Sequence, residues 1–299
     1  MRRLLAVLVL SGLSAQSQTI TETFGSGANQ FSIDFAEVGN PTGAGVGYVY
    51  RLGVFEVSRD IILKATTSGA LGITLQNNGF GPNKPATGIS WYEAAVFVNW
   101  LNTSRGHQPA YKFGGVSSFG NPLGYTDWSP SDSGYNSNNK MRNAAAKFFL
   151  PSSAEWYWGS MGTPSGALSN ISWIPVAGGT DPGTAVYRQG GPSPADVTNA
   201  GGLNDWGIMG MVGNVWEWNE DRFAPLNFGG EDAVDGARMA VGADWGAWYL
   251  GEGKNSPPNF EGGGSSNYGF RVASVPEPSS LTLLLAGGAV LMAGRRRRG

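Results

Sequence analysis

The chain has 299 residues, of which 41% are hydrophobic and 14% charged, with 47 glycines, 11 tryptophans and no cysteine. Abundant aromatics with sparse charge exclude a disordered chain, the glycine count argues for many loops on an aromatic core, and the lack of cysteine excludes disulfide staples. The net charge of −2 conceals six terminal arginines: without them and Glu277, 14 basic residues face 21 acidic ones, a body charge of −7 that argues against nucleic acid or an anionic membrane surface as partner.

Arg2 and Arg3 precede an apolar run from Leu4 to Leu13 that is too short to span a bilayer, the pattern of a secretory signal. Ala15 and Ser17 supply the small residues of a cleavage site, so residues 1–17 are predicted as signal, with the mature start near Gln18. Next, Phe31–Phe35 alternates apolar and polar residues, as does the stretch from Tyr48 to Val57 around Gly53; both predict strands with one wet face.

Two helices are announced by their caps. Ser90-Trp91-Tyr92-Glu93 and Ser152-Ser153-Ala154-Glu155 are capping boxes, in which serine and glutamate each satisfy an amide that the first turn leaves unpaired. After the first, Ala94, Phe97, Val98 and Leu101 recur at helical spacing and predict a core-facing stripe. Gly114–Asn139, rich in Ser, Gly and Asn, predicts a long surface loop. If Gly213-Asn214-Val215-Trp216-Glu217-Trp218 is a strand, Asn214, Trp216 and Trp218 share one face while Val215 and Glu217 share the other. Glu217 would then lie near the core boundary and need a partner.

At the far end, Pro276-Glu277-Pro278 precedes an apolar run from Leu281 to Ala293 and then Arg295, Arg296, Arg297 and Arg298. Residues 275–299 closely resemble a PEP-CTERM sorting signal. A helix over Ser279–Gly294 would reach only about 24 Å against the roughly 30 Å hydrocarbon core, which suits a transient transmembrane tether; the arginines would stay cytoplasmic and leave the body outside. The resemblance implies an exosortase-type membrane protease as partner. The expected route is export through the inner membrane, brief tethering, and a final place at the cell surface or in the extracellular matrix.

The body, residues 18–274, carries five motifs in order: Leu52–Ser58, Ile89–Ala95, Leu150–Trp156, Gly207–Trp218 and Gly269-Phe270-Arg271. This succession resembles the formylglycine-generating, sulfatase-modifying-factor type of domain, with Gly-Asn-Val-Trp-Glu-Trp its most specific piece. The resemblance implies an α+β fold of the irregular, C-type-lectin-like kind, loop-rich, with few short helices and antiparallel strands. Copper oxidases of this family use a cysteine pair before the last Gly-Phe-Arg, and its iron enzymes use several histidines. This chain has no cysteine and a single histidine, His107, in a loop, so neither copper nor iron is expected. Where the family carries Arg-x-x-Arg-Gly-Gly-Ser-Trp, this chain has Arg238 to Trp245 without the second arginine, the second glycine and the serine.

The resemblance also implies calcium at Asn214, Val215 and Glu217, through carbonyl and carboxylate oxygens of the hard kind that calcium accepts. An ion pair of Glu217 with an arginine such as Arg271 is the equal alternative. Asn170, Ile171 and Asp181 match a second calcium site more loosely, and there an ordinary polar loop is favoured. Trp91, Trp156, Trp216 and Trp218 are expected in or near the core. Asp244, Trp245, Trp248 and Tyr249, in the segment that replaces the copper site, combine aromatic faces with a carboxylate in the manner of a sugar-binding surface, although core packing is favoured for either tryptophan taken singly. The resulting expectation is an exported, non-catalytic surface or matrix protein that binds extracellular polysaccharide; the rivals are an enzyme of altered chemistry and a passive envelope component.

Overall fold

The structure is a computed structural model, which describes residues 19–39, 45–76, 79–115, 124–222, 237–248, 259–260, 264 and 266–276. The signal at 1–17, Tyr249, and the tail from Glu277 and Pro278 to Arg295–Arg298 lie outside the described residues.

Five strands form the central sheet in the order β1 (Thr19–Phe24), β2 (Phe31–Val38), β3 (Tyr50–Gly53), β13 (Ala273–Ser274) and β6 (Phe148–Phe149). Every pairing in it is antiparallel, and β13, the last strand of the body, is inserted between β3 and β6. A second sheet of four runs β11 (Asn259–Phe260), β10 (Ala237–Gly242), β9 (Trp216–Arg222) and β12 (Tyr268–Gly269). Its β9–β12 pairing is parallel. Two small two-stranded pairs, β4 (Lys112–Phe113) with β5 (Tyr125–Thr126) and β7 (Ile174–Pro175) with β8 (Thr184–Ala185), sit among the loops.

Three α-helices and two single-turn 3-10 helices, at Gly27–Asn29 and Val197–Asn199, complete the described architecture. The two capped helices form as predicted: α2 is Trp91–Thr103 and α3 is Ser153–Met161, and both capping boxes close in full. Each such cap contributes about 1 kcal/mol. The helix ahead of them, α1 (Arg59–Gly69), is a finding the residue pattern did not announce. Ser58 caps it by accepting from the Ile61 amide at 3.3 Å, but Ile61 stands where a capping box would have its glutamate. The strand expected from Tyr48 to Val57 is only four residues long; just past its end Val54 still donates to the carbonyl of Asp34, its register partner on β2, at 2.7 Å.

The core lies between the central sheet, α2 and the second sheet. Trp91, Trp156 and Trp218 are fully buried and half-buried Trp216 packs against the core, as expected. Phe24, Phe35, Phe97, Phe148 and Phe270 pack among them, with Phe97 edge-on to Phe270 at 5.6 Å between ring centroids. Each fully buried side chain of this size contributes roughly 1.5–3 kcal/mol, which is how a chain without disulfides holds so many loops.

One backbone position differs from the strand pattern. Asn214 has φ +64°, the left-handed region, so the strand begins at Trp216 and Asn214 shares no strand face with Trp216 and Trp218. Asparagine tolerates that region better than most residues, since its side chain can bond locally.

Candidate functional site

Glu217 and Arg271 meet in the interior. The Arg271 Nε donates to Glu217 Oε2 at 2.7 Å and Oε1 at 2.9 Å, while its Nη1 reaches the Gly53 carbonyl at 2.9 Å and its Nη2 the Met209 carbonyl at 3.1 Å. The Trp156 indole donates to the same Oε2 at 2.7 Å. Both carboxylate oxygens are therefore engaged, and a guanidinium already neutralises the charge.

Calcium does not fit this donor set. A divalent cation would need Glu217 to turn away from a fully buried arginine, stranding that charge at a cost of several kcal/mol. Asn214 is likewise engaged: its Oδ1 accepts from the Ala195 amide at 2.8 Å and its Nδ2 donates to Glu56 Oε2 at 2.8 Å. Val215 is buried beside them. Of the two readings of Glu217, the geometry is that of the ion pair.

Glu56 completes the cluster. Burial pushes its carboxyl well above the usual range, repulsion from Glu217 adds to this, and Arg271 and the Asn214 hydrogen bond pull the other way. Its Oε1 has no hydrogen-bond partner. Its Oε2 holds Asn214 in its turn.

At the looser calcium match, Asn170 and Asp181 are exposed and Ile171 half-buried. The Asp181 carbonyl accepts from both the Thr184 amide (3.2 Å) and hydroxyl (2.7 Å), and the Ile171 amide donates to Ser169 Oγ at 3.3 Å. These are turn contacts, and they match the polar-loop reading. Among the described residues no group of three or more His, Cys, Asp or Glu side chains is placed to hold a metal.

The segment from Asp244 to Trp248 forms a clipped surface ribbon. The Trp245 amide donates to the Asn214 carbonyl at 3.0 Å, and Arg188 and Gln189 amides donate to the Ala247 and Trp245 carbonyls at 2.9 and 2.7 Å. Asp244 Oδ1 accepts from the Gly246 amide at 2.8 Å and its Oδ2 from the Asn267 side chain. Trp245 is half-buried, its indole donating to the Gly191 carbonyl at 3.1 Å and its ring edge-on to Phe80. Trp248 stands out from this support at 78% exposure. Asp244, Trp245 and Trp248 are thus brought together on one short segment, with Trp248 free to offer its face and Trp245 acting as its anchor.

A polar cleft that the residue pattern did not single out lies elsewhere. It encloses 1030 Å³ and is lined by Tyr48, Asn139, Arg142, Glu220, Asp221 and Arg222 among others. Arg142 organises its floor: the guanidinium donates to Glu155 at 2.9 and 3.3 Å and lies 3.7 Å over the Phe149 ring. Glu155, already the capping-box acid of α3, also accepts from the Tyr48 hydroxyl at 2.6 Å. Glu220 accepts from Asn139 at 2.7 Å and from Tyr111 at 3.3 Å. Burial pushes its carboxyl up against the pull of Arg142, with Glu155 and Asp221 adding repulsion, to about 7. Beneath it Arg238 lies between the Trp91 and Tyr125 rings, 4.0 and 4.2 Å from their centroids, and donates to the Glu220 carbonyl at 2.6 Å. The one available signal was alternation: in β9, Glu220 falls on the face of Trp216 and Trp218, and a carboxylate in register with two tryptophans is a candidate buried acid.

Comparison with known proteins agrees with this architecture. The model of the sulfatase-modifying factor enzyme 1-like domain matches residues 63–275, and that of the PEP-CTERM protein-sorting motif matches residues 274–298. No curated protein matches the chain. Among solved structures, Treponema denticola variable protein 1 is similar at 20% identity and a TM-score of 0.58, over 86% of this chain and 99% of that one. PvdO from Pseudomonas aeruginosa is similar at 15% identity and a TM-score of 0.50, over 85% of this chain and 98% of that one. At these identities the likeness shows the fold alone, which is the loop-rich, C-type-lectin-like α+β fold expected from the motifs.

Proposed function

Because the chain belongs to the sulfatase-modifying factor enzyme 1-like family and ends in a PEP-CTERM sorting motif, we propose that it is an exported, non-catalytic binding protein whose ligand is extracellular polysaccharide. The observation that carries the reading is Trp248, an exposed indole on a ribbon held by backbone hydrogen bonds to residues 188, 189 and 214. A rigidly presented aromatic face suits the C–H surface of a sugar ring, since little ordering entropy is lost on binding. The absence of any cysteine and the single histidine, His107, leave the chain without the ligands on which the family's copper and iron chemistry depends. The tail is read as the substrate of an exosortase-type membrane protease, after which the body resides at the cell surface or in the matrix.

A glycan array with the recombinant body, residues 18–274, tests the reading. Binding to at least one exopolysaccharide fragment, lost in Trp248→Ala with the fold intact, supports it; no binding, or binding that Trp248→Ala leaves unchanged, overturns it. Substrate turnover by the same preparation would favour the rival reading of an enzyme with altered chemistry.

A further inference from the structure

The sorting motif follows directly on the last strand of the body. β13 ends at Ser274, and Val275 still donates to the Lys147 carbonyl at 3.0 Å. Continuing the β3–β13 register places Val275 opposite Tyr50 and Pro276 opposite Val49. The Pro-Glu-Pro motif therefore starts one residue after the last backbone bond of the central sheet. Pro276 itself lies against the body, beside His107, Ala144 and Ala145.

Distance makes this consequential. Five residues, 276–280, separate the sheet from the apolar run beginning at Leu281. Fully extended they span at most about 18 Å, and the interfacial layer of the membrane takes roughly 5–8 Å of that. The remaining gap of about 10 Å is no wider than a single helix with its side chains. No protease can engage Pro276–Pro278 in that space without touching the body.

The face at this exit is suited to being touched. Tyr48 and Val49 are each 43% exposed and Val275 39%, so three of the nine exposed large hydrophobic residues among the described residues are gathered where the chain leaves. Exposed Ala144 shares one cavity wall with Tyr48 and Val275, and exposed Ala145 lies beside Val275 in the adjoining depression. Apolar side chains collected at one end of a sheet mark an interaction surface.

We propose that the exit face formed by Tyr48, Val49, Ala144, Ala145 and Val275 is a docking surface for the membrane protease that processes the tail, so that the folded body is part of what the protease recognises. The proposal rests on the processing reading above and deepens it: sorting of this chain would require the body to be folded before cleavage, because Val49, Ala145 and Val275 come together only when β13 is inserted between β3 and β6.

The test uses the full-length chain in cells that carry its processing protease, with cleavage followed by pulse-chase. Val49→Glu combined with Ala145→Glu is expected to slow conversion on the order of tenfold, the effect of losing one good interface contact. A photo-crosslinking residue at Ala145 of an otherwise unaltered chain, expressed with a catalytically inactive protease, is expected to give a protease adduct, whereas one at exposed Leu168 gives none. Processing of the double variant at the unaltered rate, or equal crosslinking from Leu168 and Ala145, overturns the docking surface while leaving the processing reading intact. If the tail is still cut after Glu277→Ala with Pro278→Ala, the processing reading fails and the docking surface with it.

Discussion

Arg271 closes over Glu217 in the interior of the molecule, 2.7 Å from Nε to Oε2, and ties two of the family's motifs into one ion pair. Gly-Asn-Val-Trp-Glu-Trp and Gly-Phe-Arg are therefore joined by charge as well as by the parallel β9–β12 pairing. The pair also reaches the carbonyls of Gly53 and Met209, so three residues far apart in sequence from Arg271 meet on one guanidinium.

Breaking this pair from one side is expected to be severe. Glu217→Ala or Arg271→Ala leaves a buried charge unpaired and should cost about 3–5 kcal/mol in urea unfolding. Replacing both, as Glu217→Leu with Arg271→Met, should recover much of that loss. A single substitution that leaves the unfolding midpoint unchanged would contradict the account.

Calcium should not stabilise the fold. A resident ion at saturating concentration, a hundredfold above its dissociation constant, would add about 2.7 kcal/mol and raise Tm by several degrees. Melting in millimolar calcium and in EDTA is expected to agree within about 1 °C. A clear difference would mean that the Glu217 environment rearranges around the metal.

The pH dependence draws on buried acids of opposite sign, Glu220 and Glu56 raised and Glu155 lowered. Glu220 titrates near 7 in the fold, above its ordinary 4.5, so the folded state holds its proton more tightly than the unfolded chain does. Its contribution is present in full below pH 4.5 and is lost as pH rises through 7, by something of the order of 3 kcal/mol. Glu155 is lowered: burial raises it, but Arg142, Tyr48 and the Ser152 amide outweigh burial, so its contribution is present above pH 4.5 and lost on acidification. Glu220→Gln should therefore reduce the fall in stability between pH 5 and 8, leaving the part that Glu56 contributes, and keep the acid limb in place, which denaturant titration at each pH would reveal.

The two ribbon tryptophans should separate in their effects. Trp245→Ala removes the hydrogen bond to Gly191 and the edge contact with Phe80, and should cost roughly 1–3 kcal/mol of stability. Trp248→Ala, with the indole in solvent, should cost within about 0.5 kcal/mol. Thermal melts of the two variants decide the point; equal losses would mean that Trp248 is packed in solution.

Some features were legible because they are local. Ser90 with Glu93 and Ser152 with Glu155 lie three residues apart, and the first turn of a helix brings those groups together whatever surrounds them. The partner of Glu217 was half-legible: its strand alternation demanded a partner, and Arg271 was one of two candidates. The end of β3 and the start of α1 were not legible, because past the last bond to β2 the Val54 carbonyl is taken by the distant Met209 amide, and Ser58 caps without a glutamate. Nor was the turn at Asn214, which is held by Glu56 from 158 residues away.

The amino-acid sequence by itself determined the sorting motif, the family, the capped helices and the want of copper ligands, all of which depend on residue identity or on neighbours within a few positions. Only the tertiary structure decided what each buried acid does. Glu155 is read in sequence as a helix cap, but burial beside Arg142 and Tyr48 makes it the centre of a charged floor as well. Glu220 is one of 22 acidic residues until folding removes its water and sets a second carboxylate nearby. Desolvation and charge pairing depend on which distant segments meet, and the order of residues along a chain does not contain those distances.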